Sequence, residues 1–174
     1  HKIDIAAHDD NGNVSHLSLF VKRRANDPTP AAQPENSTKV EWNKHFYKDF
    51  GGAEIRIPAR MLYESIFLEY SQDSVPGNTV RVKAFSQLHR IHTPDVPLHS
   101  YVTMAVTPHD APKHLESKLC LARVQDNGRF SYAGGKYEAG KVSAEVRDFG
   151  AYCVVADTIP PTITPSFKNN ADLR

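Results

Sequence analysis

Gly51-Gly-Ala-Glu-Ile-Arg-Ile-Pro58 is the stretch on which the fold is decided. A glycine pair opens it, Ile55 and Ile57 share one side of an alternating run, and Pro58 stops it. Apolar side chains at every second residue describe a strand with one face in a core and one outside. Proline ends such a run because it has no N–H to give to a ladder.

The same period returns on both sides. Residues 65–71 alternate, with Ile66, Leu68 and Tyr70 on one face and Phe67 and Glu69 on the other. Further strands are expected at 79–85, 101–106, 118–124, 129–132, 141–147 and 151–156. Turn chemistry separates them at Pro76-Gly77-Asn78, Asp126-Asn127-Gly128, Gly134-Gly135 and Asp148-Phe149-Gly150. The Gly134-Gly135 step reads as a hairpin turn and residues 59–63 as one helical turn. Trp42, Phe46, Tyr47 and Phe50 read as core or edge anchors. No window holds a helical apolar period for three turns, so the chain is expected to be all-β, an antiparallel β-sandwich.

Near the start, Ile3, Ile5 and Ala7 alternate, as do Leu17, Leu19 and Val21, around Asp9-Asp-Asn-Gly-Asn13. The Asn-Gly step supplies the positive φ of a tight reversal, which predicts a hairpin over 1–22. Two strands cannot build a core alone, so this hairpin needs a partner. Residues 23–39, with Pro28, Pro30 and Pro34 and no large apolar side chain, read as a linker that begins with the exposed Arg23-Arg24 pair. The main sandwich is expected over 40–157 and a second connector over 158–174.

Composition sets outer limits. Among 174 residues 40% are hydrophobic and 24% charged, ordinary globular values that exclude wholesale disorder. A formal charge of +1 removes any bulk electrostatic case for nucleic acid or acidic lipid. No apolar stretch is long enough for a membrane-spanning helix.

Three segments carry family likeness. The hairpin sequence through Ser15 resembles the last strands of bacterial immunoglobulin-like envelope modules. The run Gly51-Gly-Ala-Glu-Ile-Arg-Ile-Pro-Ala-Arg-Met-Leu-Tyr63 is similar to the signature of ZU-type sandwiches in ankyrins and netrin receptors. Residues 140–163 resemble the end of a β-sandwich that follows the catalytic domain in Bacteroidetes lysostaphin-type zinc endopeptidases. These resemblances imply an immunoglobulin-like or ZU-like sandwich, with the hairpin belonging to a preceding one. They also imply a non-catalytic spacer or targeting module in a periplasmic or cell-surface protein. Its partners would be other domains of its own chain, peptidoglycan or an envelope protein. Lysostaphin-type catalysis uses an H-x-H pair on a strand, and none of the nine histidines here forms one. Zinc is therefore expected only in a parent catalytic domain upstream, with no cofactor in this fragment.

His89, His92, Asp95 and His99 form the densest set of potential metal ligands. H-x-x-H spacing points opposite ways on a strand, and Pro94 and Pro97 mark a loop. The alternatives are a solvent-exposed loop over 90–100, open to a glycan or protein partner, or the centre of a small metal-dependent hydrolase. Asp9, Asn11 and Asn13 suit an Asx-supported turn or half a calcium loop, but Phe20 stands where that loop needs a bidentate Glu. Asn13-Val-Ser15 and Asn36-Ser-Thr38 match glycosylation acceptors that would be incidental in a bacterial protein. Phe130, Tyr132 and Tyr137 are either packing residues or an exposed platform, and Cys120 and Cys153 either buried free thiols or a cross-strand disulfide.

Overall fold

Strands dominate the computed structural model, which describes residues 1–22, 33–76, 83–160 and 162–163. The Arg23-Arg24 joint, the turn at Gly77-Asn78, most of the strand expected at 79–85 and most of the connector expected at 158–174 lie outside the described residues. The chain divides into two units, His1–Gln33 and Pro34–Arg174.

In the first unit, β1 (Lys2–His8) pairs antiparallel with β2 (Val14–Phe20), in register from Lys2↔Phe20 to His8↔Val14. Ile3 lies opposite Leu19 and Ile5 opposite Leu17, which places the apolar side chains on one face. The Asp9 carboxylate accepts the N–H groups of Asn11 (3.0 Å) and Asn13 (2.8 Å), and Asn13 Nδ2 donates to its other oxygen (2.8 Å). These bonds make the turn Asx-supported and hold Asp9 below the usual carboxylate range, the Asn13 side chain contributing most.

The second unit contains β3 (Ser37–Val40), β4 (Phe46–Asp49), β5 (Ala53–Ile57), β6 (Ile66–Asp73), β7 (Leu88–Ile91) and β8 (Pro97–Val106). After a 3-10 helix, Lys113–Lys118, come β9 (Leu119–Val124), β10 (Phe130–Gly134), β11 (Lys136–Glu138), β12 (Lys141–Asp148) and β13 (Gly150–Ala156). They form a six-stranded sheet in the order β10-β9-β13-β7-β6-β3 and a five-stranded sheet in the order β11-β12-β8-β5-β4. Every pairing is antiparallel. Ile55 and Ile57 meet Leu68, Ile91, Met104, Leu121, Val142 and Val154 in the common core, all 2% exposed or less. The fold is an all-β sandwich.

Several local expectations change. The first strand of the sandwich begins at Ser37, three residues inside the segment assigned to the linker. As the edge of its sheet it needs only Val40 turned inward, so its polar sequence concealed it. Residues 59–63 make a tight turn instead of a helical one. Met61 N–H bonds Pro58 O (3.3 Å), Arg60 has φ 68°, and Leu62 bridges Leu98. Trp42 and Tyr47 are about half exposed, while Phe46 and Phe50 pack against the core.

Gly134-Gly135 is not a hairpin turn. β10 pairs with β9 and β11 with β12, so the glycine pair carries the chain from one sheet to the other. At Gly135 (φ 109°) a Cβ would stand 3.1 Å from both Ser143 O and Val142 Cγ1, tight enough that the neighbours would have to shift. The two-residue hairpin lies just beyond, at Ala139 (φ 49°) and Gly140 (φ 82°), the paired positive φ values of a type I′ turn.

Candidate functional site

The four candidate metal ligands, His89, His92, Asp95 and His99, do not converge. His89 lies on β7, fully buried and turned between the sheets, and His99 lies on the outer side of β8. The expected 90–100 loop is therefore a strand end, a five-residue connection and a strand start. Proline is tolerated at the first position of a strand, and Pro97 pairs with Asp148 there. Asp95 accepts a hydrogen bond from Thr93 Oγ1 (3.1 Å) in that connection. His92 (φ 53°) sets its ring edge-on against Phe149, with centroids 5.5 Å apart. Among the described residues no group of three or more His, Cys, Asp or Glu side chains is arranged to hold a metal ion.

Each of these histidines has a local partner of its own. His89 Nδ1 shares a hydrogen bond with the Tyr70 hydroxyl (2.8 Å), and Tyr70 stacks on Phe50 at 4.1 Å. A Cβ on Gly52 would come 3.3 Å from His89 Cε1, so the glycine pair of the deciding stretch admits this imidazole into the core. Burial, with a smaller contribution from His109, lowers the His89 pKa to about 4 and keeps the ring neutral at pH 7. Burial also lowers His92, against a smaller opposing effect of Glu69. The His99 ring stacks on Tyr63 at 3.8 Å.

Both cysteines are buried free thiols. They sit diagonally on β9 and β13, where Val155 faces Cys120 and Cys153 faces Ala122. Burial, then the neighbouring Cys120, pushes Cys153 up to about 12, which leaves almost no nucleophilic thiolate at neutral pH. The aromatic platform is divided. Phe130 packs on the outer side of the six-stranded sheet, Tyr137 against the core from the other sheet, and Tyr132 is exposed.

Register assembles a different set on the outer face of the five-stranded sheet. Tyr47 and Arg56 are cross-strand partners on β4 and β5, with the guanidinium carbon 5.2 Å from the ring centroid. Arg147 on β12 lies over Tyr101 on β8 at 5.9 Å. Thr103 donates to Glu145 (2.9 Å), and Lys141 pairs with the nearly buried Glu54. Sequence reading singled out none of Arg56, Tyr101 and Arg147 as functional. The available signal was their position, since each takes the outward place in an alternating run. On the other sheet, Arg90, His92, Arg123, Gly150 and Ala151 line a cleft of about 200 Å³. Its arginines are tied to Asp73 (2.8 Å) and Asp148 (3.1 Å).

A family model for the Zu5-like domain matches residues 37–157, from the first strand of the sandwich to just past its last. The chain belongs to the Zu5-like domain family. That family is not a known catalytic one, and its membership describes a sandwich-type module. No curated protein matches the chain. In this Zu5-like domain the stretch Gly51–Pro58 supplies the core strand β5, the glycine that accommodates His89 and the outward Arg56.

Proposed function

We propose that this Zu5-like domain is a non-catalytic accessory module, a spacer or targeting element, in a multidomain protein of the bacterial envelope. The observation that carries the sandwich-module part of this reading is the family match, which takes in every strand of the sandwich among the described residues. The dispersal of His89, His92, Asp95 and His99 agrees with it, because a metal-dependent hydrolase needs its ligands to converge. The likeness of residues 140–163 to lysostaphin-type endopeptidases supports a zinc metallopeptidase parent with its catalytic domain upstream. Zinc would belong to that domain, since His89, His92, Asp95 and His99 do not converge on one point here. The hairpin, with Ile3, Ile5 and Leu17 exposed on one face, is read as the last two strands of a preceding immunoglobulin-like sandwich.

Incubation of the protein with zinc and cross-linked peptidoglycan tests the non-catalytic reading. Unchanged sacculi are expected, and release of soluble muropeptides overturns it. Co-sedimentation with insoluble sacculi separates targeting from spacing. Retention supports a targeting role in a periplasmic or cell-surface protein, and recovery in the supernatant supports a spacer. A second reading, a protein- or glycan-binding adhesion-type module, is favoured by the arginine–tyrosine pairs on the five-stranded sheet.

A further inference from the structure

We infer that the outer face of the five-stranded sheet binds an extended acidic segment of a partner protein, with Arg56 and Arg147 receiving its carboxylates. The inference rests on the binding reading above and names its partner.

Its basis is how the two arginines are held. Each guanidinium carbon lies over a tyrosine ring, 5.2 Å from the centroid of Tyr47 for Arg56 and 5.9 Å from that of Tyr101 for Arg147. A cation–π contact uses no hydrogen-bond acceptor, so the N–H groups of such a guanidinium can still receive a bidentate carboxylate. Neither arginine has an ion pair among the described residues, in contrast to Arg90 and Arg123 on the other sheet. The neighbouring carboxylates are engaged, Glu145 by Thr103 and Glu54 by Lys141. The Thr103 hydroxyl leaves the charge of Glu145 in place, so at this end of the face the two arginines stand against one unneutralised carboxylate, an excess of one positive charge.

The tyrosines add contact area. Tyr47 is 54% exposed and Tyr101 50%, and the exposed Tyr63 stacks on His99, two residues before Tyr101 on β8. Tyrosine and arginine are the residues most enriched where protein interfaces concentrate their energy. β8 separates β5 from β12, so the two forks stand two strand spacings apart, about 10 Å across the sheet. An extended strand presents residues i and i+4 on one side about 13 Å apart, which matches that span once the offset along the strands is included.

Fluorescence anisotropy with the full chain tests this. The probe is a labelled peptide with Glu at i and i+4 among Ser and Thr, and the control has Gln in place of Glu. Binding of the Glu peptide at low ionic strength, lost in high salt, is expected, with none for the Gln peptide. Arg56→Gln and Arg147→Gln should each weaken binding about fivefold, the scale of one exposed charge pair of about 1 kcal/mol. Arg129→Gln, at an exposed cation in the β9–β10 turn, should leave binding unchanged. Circular dichroism checks that each variant is folded. No binding of the Glu peptide, equal binding of the Gln peptide, or equal weakening by Arg129→Gln overturns the inference. Binding of polygalacturonate without the peptide overturns it in favour of an acidic glycan. Retention on sacculi without peptide binding overturns it while leaving the targeting reading intact.

Discussion

Cys120, Ala122, Val124, Ala151, Cys153 and Val155 point away from the common core on β9 and β13, yet none is more than 7% exposed. Tyr47 and Tyr101 point away from the same core on the other sheet and are half exposed. Both faces are the outward side of alternating strands. On the six-stranded sheet the outward residues are small and apolar, and Leu88, Val75, Ala84 and Phe130 pack with them into a second cluster. On the five-stranded sheet they are charged, hydroxylated or aromatic, and they pair with one another across the strands. One sheet is thus buried on both sides where β9 and β13 run. The other keeps a wet face.

The largest effect expected from breaking this contrast comes from placing a charge on each face. Cys153→Asp puts an unpaired carboxyl in the covered cluster and should cost about 3–5 kcal/mol in urea denaturation. Tyr101→Asp on the wet face should cost about 1 kcal/mol or less. Equal losses would mean that the two outer faces do not differ.

Between the sheets, pH sharpens the picture. His89 is buried as the neutral ring with its pKa lowered to about 4, whereas an unfolded histidine titrates near 6.5. Its contribution is therefore complete above pH 6.5 and is lost as pH falls toward 4, about 2–3 kcal/mol at most. Denaturation midpoints at pH 7.5 and 4.5 should show the loss, and His89→Gln should reduce the difference. An unchanged pH dependence in that variant would place the titration elsewhere.

A smaller effect is expected where the chain crosses between sheets. Gly135→Ala combines a φ of 109° with the close approach to Ser143 and Val142 and should cost about 1–3 kcal/mol. Gly128→Ala, at φ 74° in the β9–β10 turn with open space around it, should cost less. Thermal unfolding of the two variants provides the comparison. The smallest change is expected from Arg147→Gln, within about 0.5 kcal/mol in the same assay, because an exposed cation–π contact contributes little to folding. A larger loss would make Arg147 a structural residue and not a binding one.

Much of the fold was legible because the period of a strand is local. Ile55 and Ile57, Val142, Ala144 and Val146, and Tyr152 and Val154 each declare an inward face within a few residues of chain. Asn11-Gly12 and Asn127-Gly128 declare their turns equally locally. The errors came where two local signals coincide. Gly134-Gly135 has the chemistry of a hairpin turn and also that of a close crossing, and only the identity of the flanking partners, β9 and β12, separates them. Ser37–Lys39 has no apolar pattern because an edge strand over the core needs little of one. The histidine cluster was dense in sequence, yet a strand on each side of a short connection sends His89 inward and His99 outward.

By itself the sequence determined the all-β class, most strand positions and the side of each strand that faces the core, since these depend on residues two apart. Tertiary structure alone decided which sheet each strand joins, that the outward face of β9 and β13 becomes a second core, and that Arg56 meets Tyr47 and Lys141 meets Glu54. Those contacts depend on hydrogen-bond register between segments distant in the chain, as much as 87 residues for Lys141 and Glu54. A one-residue slip would turn every side chain of a strand to its other face, and alternation within a strand does not specify which neighbour it pairs with.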